Sequence, residues 1–205
     1  MLFNLLALFG FLIVLLLLRR LVNILPSLMA CLIRGKESIN LEASVKLSRD
    51  RDLLALAMII PFCLTVSSHR LYSPGILEGV STNAYIGICF AVFFCYVLLR
   101  KMLTWLFRPK RARKTYVTAE KASYSFFITY TLFLLAAAAF LGVFDVAEAT
   151  VRNAMLWISA LIYALFMIRK IQIFSSSCSV FVAFLYLCAL EMIPTGILVI
   201  SAIIF

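Results

Sequence analysis

The 205-residue sequence is 65% hydrophobic and 14% charged, yet its net charge is +10. A soluble domain is nearer half apolar, so the excess greasy surface must face lipid, which excludes a water-soluble fold. The basic surplus then reads as positive-inside loop bias and attraction to anionic headgroups, not as a nucleic-acid footprint.

Six apolar runs predict an all-α, polytopic integral membrane protein, a bundle of six transmembrane helices in one domain over 1–205. The expected spans are 2–18, 53–68, 84–99, 126–144, 154–168 and 180–205. The runs are continuous rather than alternating, which excludes barrel strands.

The first span starts uncharged, and Arg19 and Arg20 follow it. A cleaved signal needs the opposite polarity, so this helix is expected to stay, with the N-terminus outside. Residues 21–33 are apolar but short and broken by Pro26; they read as an interfacial or re-entrant helix on the cytoplasmic face. Residues 41–52 mix charged and apolar positions and are expected to lie on that same surface.

The segments between runs decide orientation. Segment 19–52 holds seven Lys and Arg, segment 100–123 holds eight, and Arg169 and Lys170 follow the fifth run. Segments 69–83 and 145–153 hold only Arg70 and Arg152. Seventeen of nineteen basic residues therefore share one side. Both termini are expected in the periplasm of a bacterial inner membrane.

Helix punctuation is read along the same frame. Asn83 and Ser123 are expected caps of the third and fourth helices, and Ser175–Ser177 of the sixth. Asp145 and Glu148 match a capping box, just after Gly142. The pairs Gly87/Ala91, Ala138/Gly142 and Ala160/Ala164 are four apart, and small residues at that spacing let helices pack closely. Trp105 and Trp157 fall near opposite membrane faces. The six Cys form no CxxC and read as apolar packing groups. His69, the only His, is an interface residue with no partner at ligand spacing, so neither metal nor cofactor is expected.

Glu191 is the only acid well inside an apolar run. A carboxylate there costs about 2.5–3.5 kcal/mol on insertion scales. With no Lys or Arg expected at its depth, it should be protonated and donate to a carbonyl one turn back, or to Tyr130, Ser159 or Tyr163. Pro194 follows, and its missing N–H should kink the helix. The pair is a candidate functional or structural feature. The run Arg108, Lys110, Arg111, Arg113, Lys114 is the densest charge cluster. It would contact anionic lipid, at about 1 kcal/mol per residue, or an envelope partner.

Catalytic motifs such as HExxH or Gly-x-Ser-x-Gly do not occur. The leading expectation is a non-enzymatic inner-membrane subunit for interaction or assembly in the cell envelope. A small proton- or solute-coupled transporter using Glu191 comes second, and a membrane enzyme third. The stretch Leu185-Tyr-Leu-Cys-Ala-Leu-Glu-Met-Ile-Pro194 resembles the C-terminal signature of an uncharacterised Bacteroidota family of multi-pass membrane proteins, domain of unknown function 4271. The resemblance implies an inner-membrane location and makes Glu191 and Pro194 family features without a role.

Overall fold

The computed structural model describes residues 2–77, 79–106, 113–144, 146–175 and 180–204. Among them there is no strand. Helices α1 (Leu2–Ile33), α2 (Gly35–Ala43), α3 (Val45–Ala57), α4 (Ile59–Ser68), α5 (Thr82–Leu106), α6 (Arg113–Val143), α7 (Glu148–Ser175), α8 (Val180–Leu187) and α9 (Ile193–Ile204) follow in order, with a π-turn, Cys188–Met192, between the last two. Among the described residues, six stretches are long and apolar enough to cross a membrane: Asn4–Ile33, Val45–Ser68, Thr82–Leu106, Tyr116–Val143, Glu148–Ser175 and Ala183–Ala202.

The helices outrun the apolar runs. At 1.5 Å per residue α1 is about 48 Å long, against about 30 Å of hydrocarbon. Residues 21–33, expected as a separate interfacial piece, instead continue α1 without a break. Leu21, Ile24, Leu28 and Cys31 recur at helical spacing and are buried with Leu41, Leu54, Met58 and Ile128. That stripe supplies the packing that holds the helix together through Pro26. Similarly, α3 brings residues 45–52 into the second span. Pro61 cannot donate to the Ala57 carbonyl, and the α3–α4 break falls there, at Met58.

Caps differ from expectation where helices start earlier. α6 begins ten residues before Ser123, which is therefore mid-helix. Asn83 lies in the first turn of α5, and Ser175 closes α7. The Ala147 carbonyl accepts the Thr150 and Val151 amides and opens α7 beside Glu148; Asp145, the expected cap, lies outside the described residues.

Mid-bundle, Phe62 packs edge-on against Phe127 at 5.2 Å, with Phe93 and Tyr130 adjoining. Gly10 lets α1 approach α4 closely, since a Cβ there would stand 3.0 Å from Ile60 Cγ2. Gly87 and Gly142, expected at close helix contacts, face open space. Cys31, Cys63 and Cys89 are buried as expected of packing groups, but Cys95 is exposed. Trp105 and Trp157 are exposed on their helices.

Side chains tie the alternate loops together at each end. At the basic end, Arg169 donates to the Leu32 carbonyl at 2.8 Å, and Lys121 bonds Glu42. At the opposite end, Tyr72 meets Ser201 at 3.0 Å, Arg152 donates to Ser73 at 2.9 Å, and Tyr85 donates to the Tyr72 carbonyl. His69 sits there as the cap of α4.

Candidate functional site

The site begins with a proline. Pro194 has no N–H for the Leu190 carbonyl, so a regular helix cannot run through it unchanged. The chain widens there: the Ile193 amide reaches back to the Cys188 carbonyl, an i to i−5 bond. Such π-turns are frequent at functional positions. This one carries Glu191, whose side chain is 3% exposed.

Two cations meet that carboxylate. Arg100 of α5 approaches Glu191 Oε1 with Nη2 at 2.8 Å and Nε at 3.2 Å. Lys170 of α7, its side chain 4% exposed, donates to the same oxygen and lies 4.7 Å over the Phe166 ring. Arg100 also donates to Ser123 of α6. One carboxylate oxygen thus joins α5, α6, α7 and the π-turn.

The expectation of an unpaired, protonated Glu191 is therefore corrected. Arg100 directly follows the third apolar run and Lys170 follows Arg169 after the fifth, and a reading that ends each span at its last apolar residue puts them at the surface. α5 and α7 run on past them, to Leu106 and Ser175, and turn both inward. The signal was present: Met102–Leu106 and Ile171–Phe174 are mostly apolar again after each cation.

The proposed hydroxyl partners are otherwise engaged. Tyr130 and Ser159 bond each other at 2.7 Å, and Ser159 donates to the Met155 carbonyl. Tyr163 does reach Glu191, donating to its backbone carbonyl at 3.3 Å. One turn on, Tyr96 and Thr195 are 3.3 Å apart.

The two carboxylate oxygens are unequal. Oε1 takes both cations, while Oε2 is buried without a hydrogen-bond partner among the described residues. Beside them is a cavity of about 10 Å³, lined in part by Arg100, Thr104, Tyr116, Glu120, Lys170 and Glu191. That is room for about one water. Glu120 brings a second carboxylate toward the two cations. The arrangement can hold charge in place and exchange a proton at Oε2; its volume is far below the few hundred Å³ of a small-molecule site.

A family model, domain of unknown function 4271, matches residues 2–201, nearly the whole chain and all of this cluster. The chain belongs to that family. No curated protein and no solved structure matches it. Domain 4271 carries no described activity in its name, so the chemistry has to come from the residues themselves.

A second polar cluster lies on the neighbouring flank of α6. Arg51 of α3 is 1% exposed and bonds Glu42 Oε2 at 2.8 Å, Asp52 Oδ1 at 2.7 Å and Ser48 at 3.2 Å. Lys121 bonds Glu42 Oε1. Burial pushes the Glu42 carboxyl up, but hydrogen bonds and charge from Lys121 and Arg51 outweigh it and hold it below its ordinary value. Arg20 and Asp50 pair beside it at 2.9 Å. The charge run 41–52 reads only as a surface; its burial is not legible because Asp52 adjoins Arg51 in sequence but Glu42 reaches it only after α2 folds back on α3. Of the basic cluster, Arg108, Lys110 and Arg111 lie outside the described residues, and so do the side chains of Arg113 and Lys114 at the start of α6.

Proposed function

We propose that this chain is a non-enzymatic subunit of the bacterial inner membrane, with both termini periplasmic, that binds or helps assemble other envelope components. The observation that supports it best is the Arg100–Lys170–Glu191 cluster itself: both cations are held on one carboxylate oxygen, beside a cavity of only about 10 Å³. A buried ionic group of this kind can fix the register of the helices it joins, and a cavity of this size leaves no room for a solute. The basic run Arg108–Lys114 is then the contact for an acidic partner or anionic lipid on the cytoplasmic side.

The test is crosslinking in cells followed by purification in mild detergent and mass spectrometry. An envelope protein should co-purify at fixed stoichiometry and be lost when Arg108, Lys110, Arg111, Arg113 and Lys114 are all changed to Gln. A wild-type chain that purifies with lipid alone ends this reading.

One observation favours the second reading, a proton-coupled transporter. Glu191 Oε2 is buried, unpartnered and beside a water-sized cavity. In proteoliposomes under a proton gradient, that reading requires proton flux that Glu191→Gln abolishes. Flux equal to empty vesicles rejects it.

A further inference from the structure

One face of α3 forms an amphipathic groove at the membrane boundary. Val45, Arg49, Asp52, Leu53 and Leu56 recur at helical spacing and line a groove of about 460 Å³, with Glu42 and Lys121 on its far wall. α3 changes character inside it: residues 46–52 are rich in charge, and from Leu53 onward the helix is apolar. The groove therefore runs from headgroup depth into hydrocarbon. Val45, Leu53 and Leu56 are exposed along it.

Its charges are of both signs and are not used up. Among the described residues no carboxylate lies within 4.0 Å of Arg49. Asp52, 43% exposed, takes both contacts from Arg51 on Oδ1, which leaves Oδ2 for another donor. Arg49 and Asp52 are three apart on one helix face. An unmatched guanidinium thus stands beside a half-used carboxylate, above lipid-facing leucines.

We propose that this groove binds one phospholipid with a zwitterionic headgroup bearing a primary amine, phosphatidylethanolamine. Arg49 takes the phosphate, for which its planar fork is suited. Asp52 accepts from the ammonium, and the acyl chains lie over Leu53 and Leu56. Asp52 selects the class. Its second oxygen is matched by an ammonium, which phosphatidylglycerol lacks, and a trimethylated choline has no N–H to donate to it. The proposal is independent of either functional reading.

The test uses the delipidated full chain in detergent with phosphatidylethanolamine, phosphatidylcholine and phosphatidylglycerol of matched chains, read by native mass spectrometry. One phosphatidylethanolamine should be retained, with roughly tenfold preference over the choline lipid, the weight of one hydrogen bond between charged groups. Asp52→Asn should erase that preference, and Arg49→Gln should weaken both lipids. Equal retention of the two zwitterions, or preference for phosphatidylglycerol, overturns the proposal. So that the test does not depend on variants that alter the fold, wild type is also tested with a photoreactive acyl chain. Labelling of the peptide holding Leu53 and Leu56 supports the site, and labelling only elsewhere refutes it.

Discussion

Lys170 on α7 and Glu191 on the π-turn form an ion pair whose side chains are 4% and 3% exposed, and Arg100 completes it from α5. Two cations on one carboxylate make the members unequal. Removing Glu191 leaves the buried Lys170 ammonium and the part-buried Arg100 guanidinium without their shared carboxylate, whereas removing Lys170 leaves a balanced Arg100–Glu191 pair.

Thermal melting in detergent should therefore rank wild type above Lys170→Met, and Lys170→Met above Glu191→Gln. Breaking a buried pair by losing one partner costs about 3–5 kcal/mol. Glu191→Gln should fall in that range, Lys170→Met below it, and the double variant should recover part of the Glu191→Gln loss. Unchanged melting of Glu191→Gln would mean that the cluster does not hold the helices together.

The second cluster makes a pH prediction. Burial raises the Glu42 carboxyl, but Lys121 and Arg51 outweigh it, so its folded value lies below the ordinary 4.5. A group lowered on folding contributes stability above its unfolded value and loses it as pH falls through the folded one. Wild type should hold this contribution at neutral pH and begin to lose it as pH drops below 4.5. Glu42→Gln should melt lower at neutral pH, and the gap should close on acidification. A gap that stays constant through that window would remove Glu42 as its source.

How far this was legible in the sequence follows from what each pattern measures. Apolar runs report hydrocarbon, so six spans were readable. They do not report where a helix stops, so α1 was cut at Arg19 although residues 21–33 continue it. The same error hid Arg100 and Lys170 from Glu191. Pro194 was a sound marker of an irregular turn, because a missing N–H is local chemistry. Glu42, Arg51 and Lys121 could not be paired in advance, since Lys121 is 79 residues from Glu42.

Gly10 gives a packing test. A Cβ there would stand 3.0 Å from Ile60 Cγ2, on a β-branched side chain that has little freedom to move. Gly10→Leu should destabilise by about 1–3 kcal/mol, the usual cost of overpacking. Gly142→Leu adds the same atoms into open space and should leave melting nearly unchanged. Ile60→Ala should relieve part of the Gly10→Leu loss. Equal effects at both glycines would show that α1 and α4 are not in close contact.

Orientation is tested by labelling. Glu42 and Lys121 bond across the first and third basic segments, and Arg169 after the fifth helix reaches the Leu32 carbonyl, so all three meet at one end. In the orientation proposed above, that end faces the cytoplasm, because positive charge resists translocation. With native cysteines replaced, Lys46→Cys and Ser81→Cys sit at opposite ends, both exposed. A membrane-impermeant maleimide given to cells with a permeable outer membrane should modify Ser81→Cys and spare Lys46→Cys until the inner membrane is broken. The reverse pattern would invert the protein and leave its threading intact. Labelling of both from one side would be more serious, because two positions separated by a single span cannot then lie across the bilayer from each other.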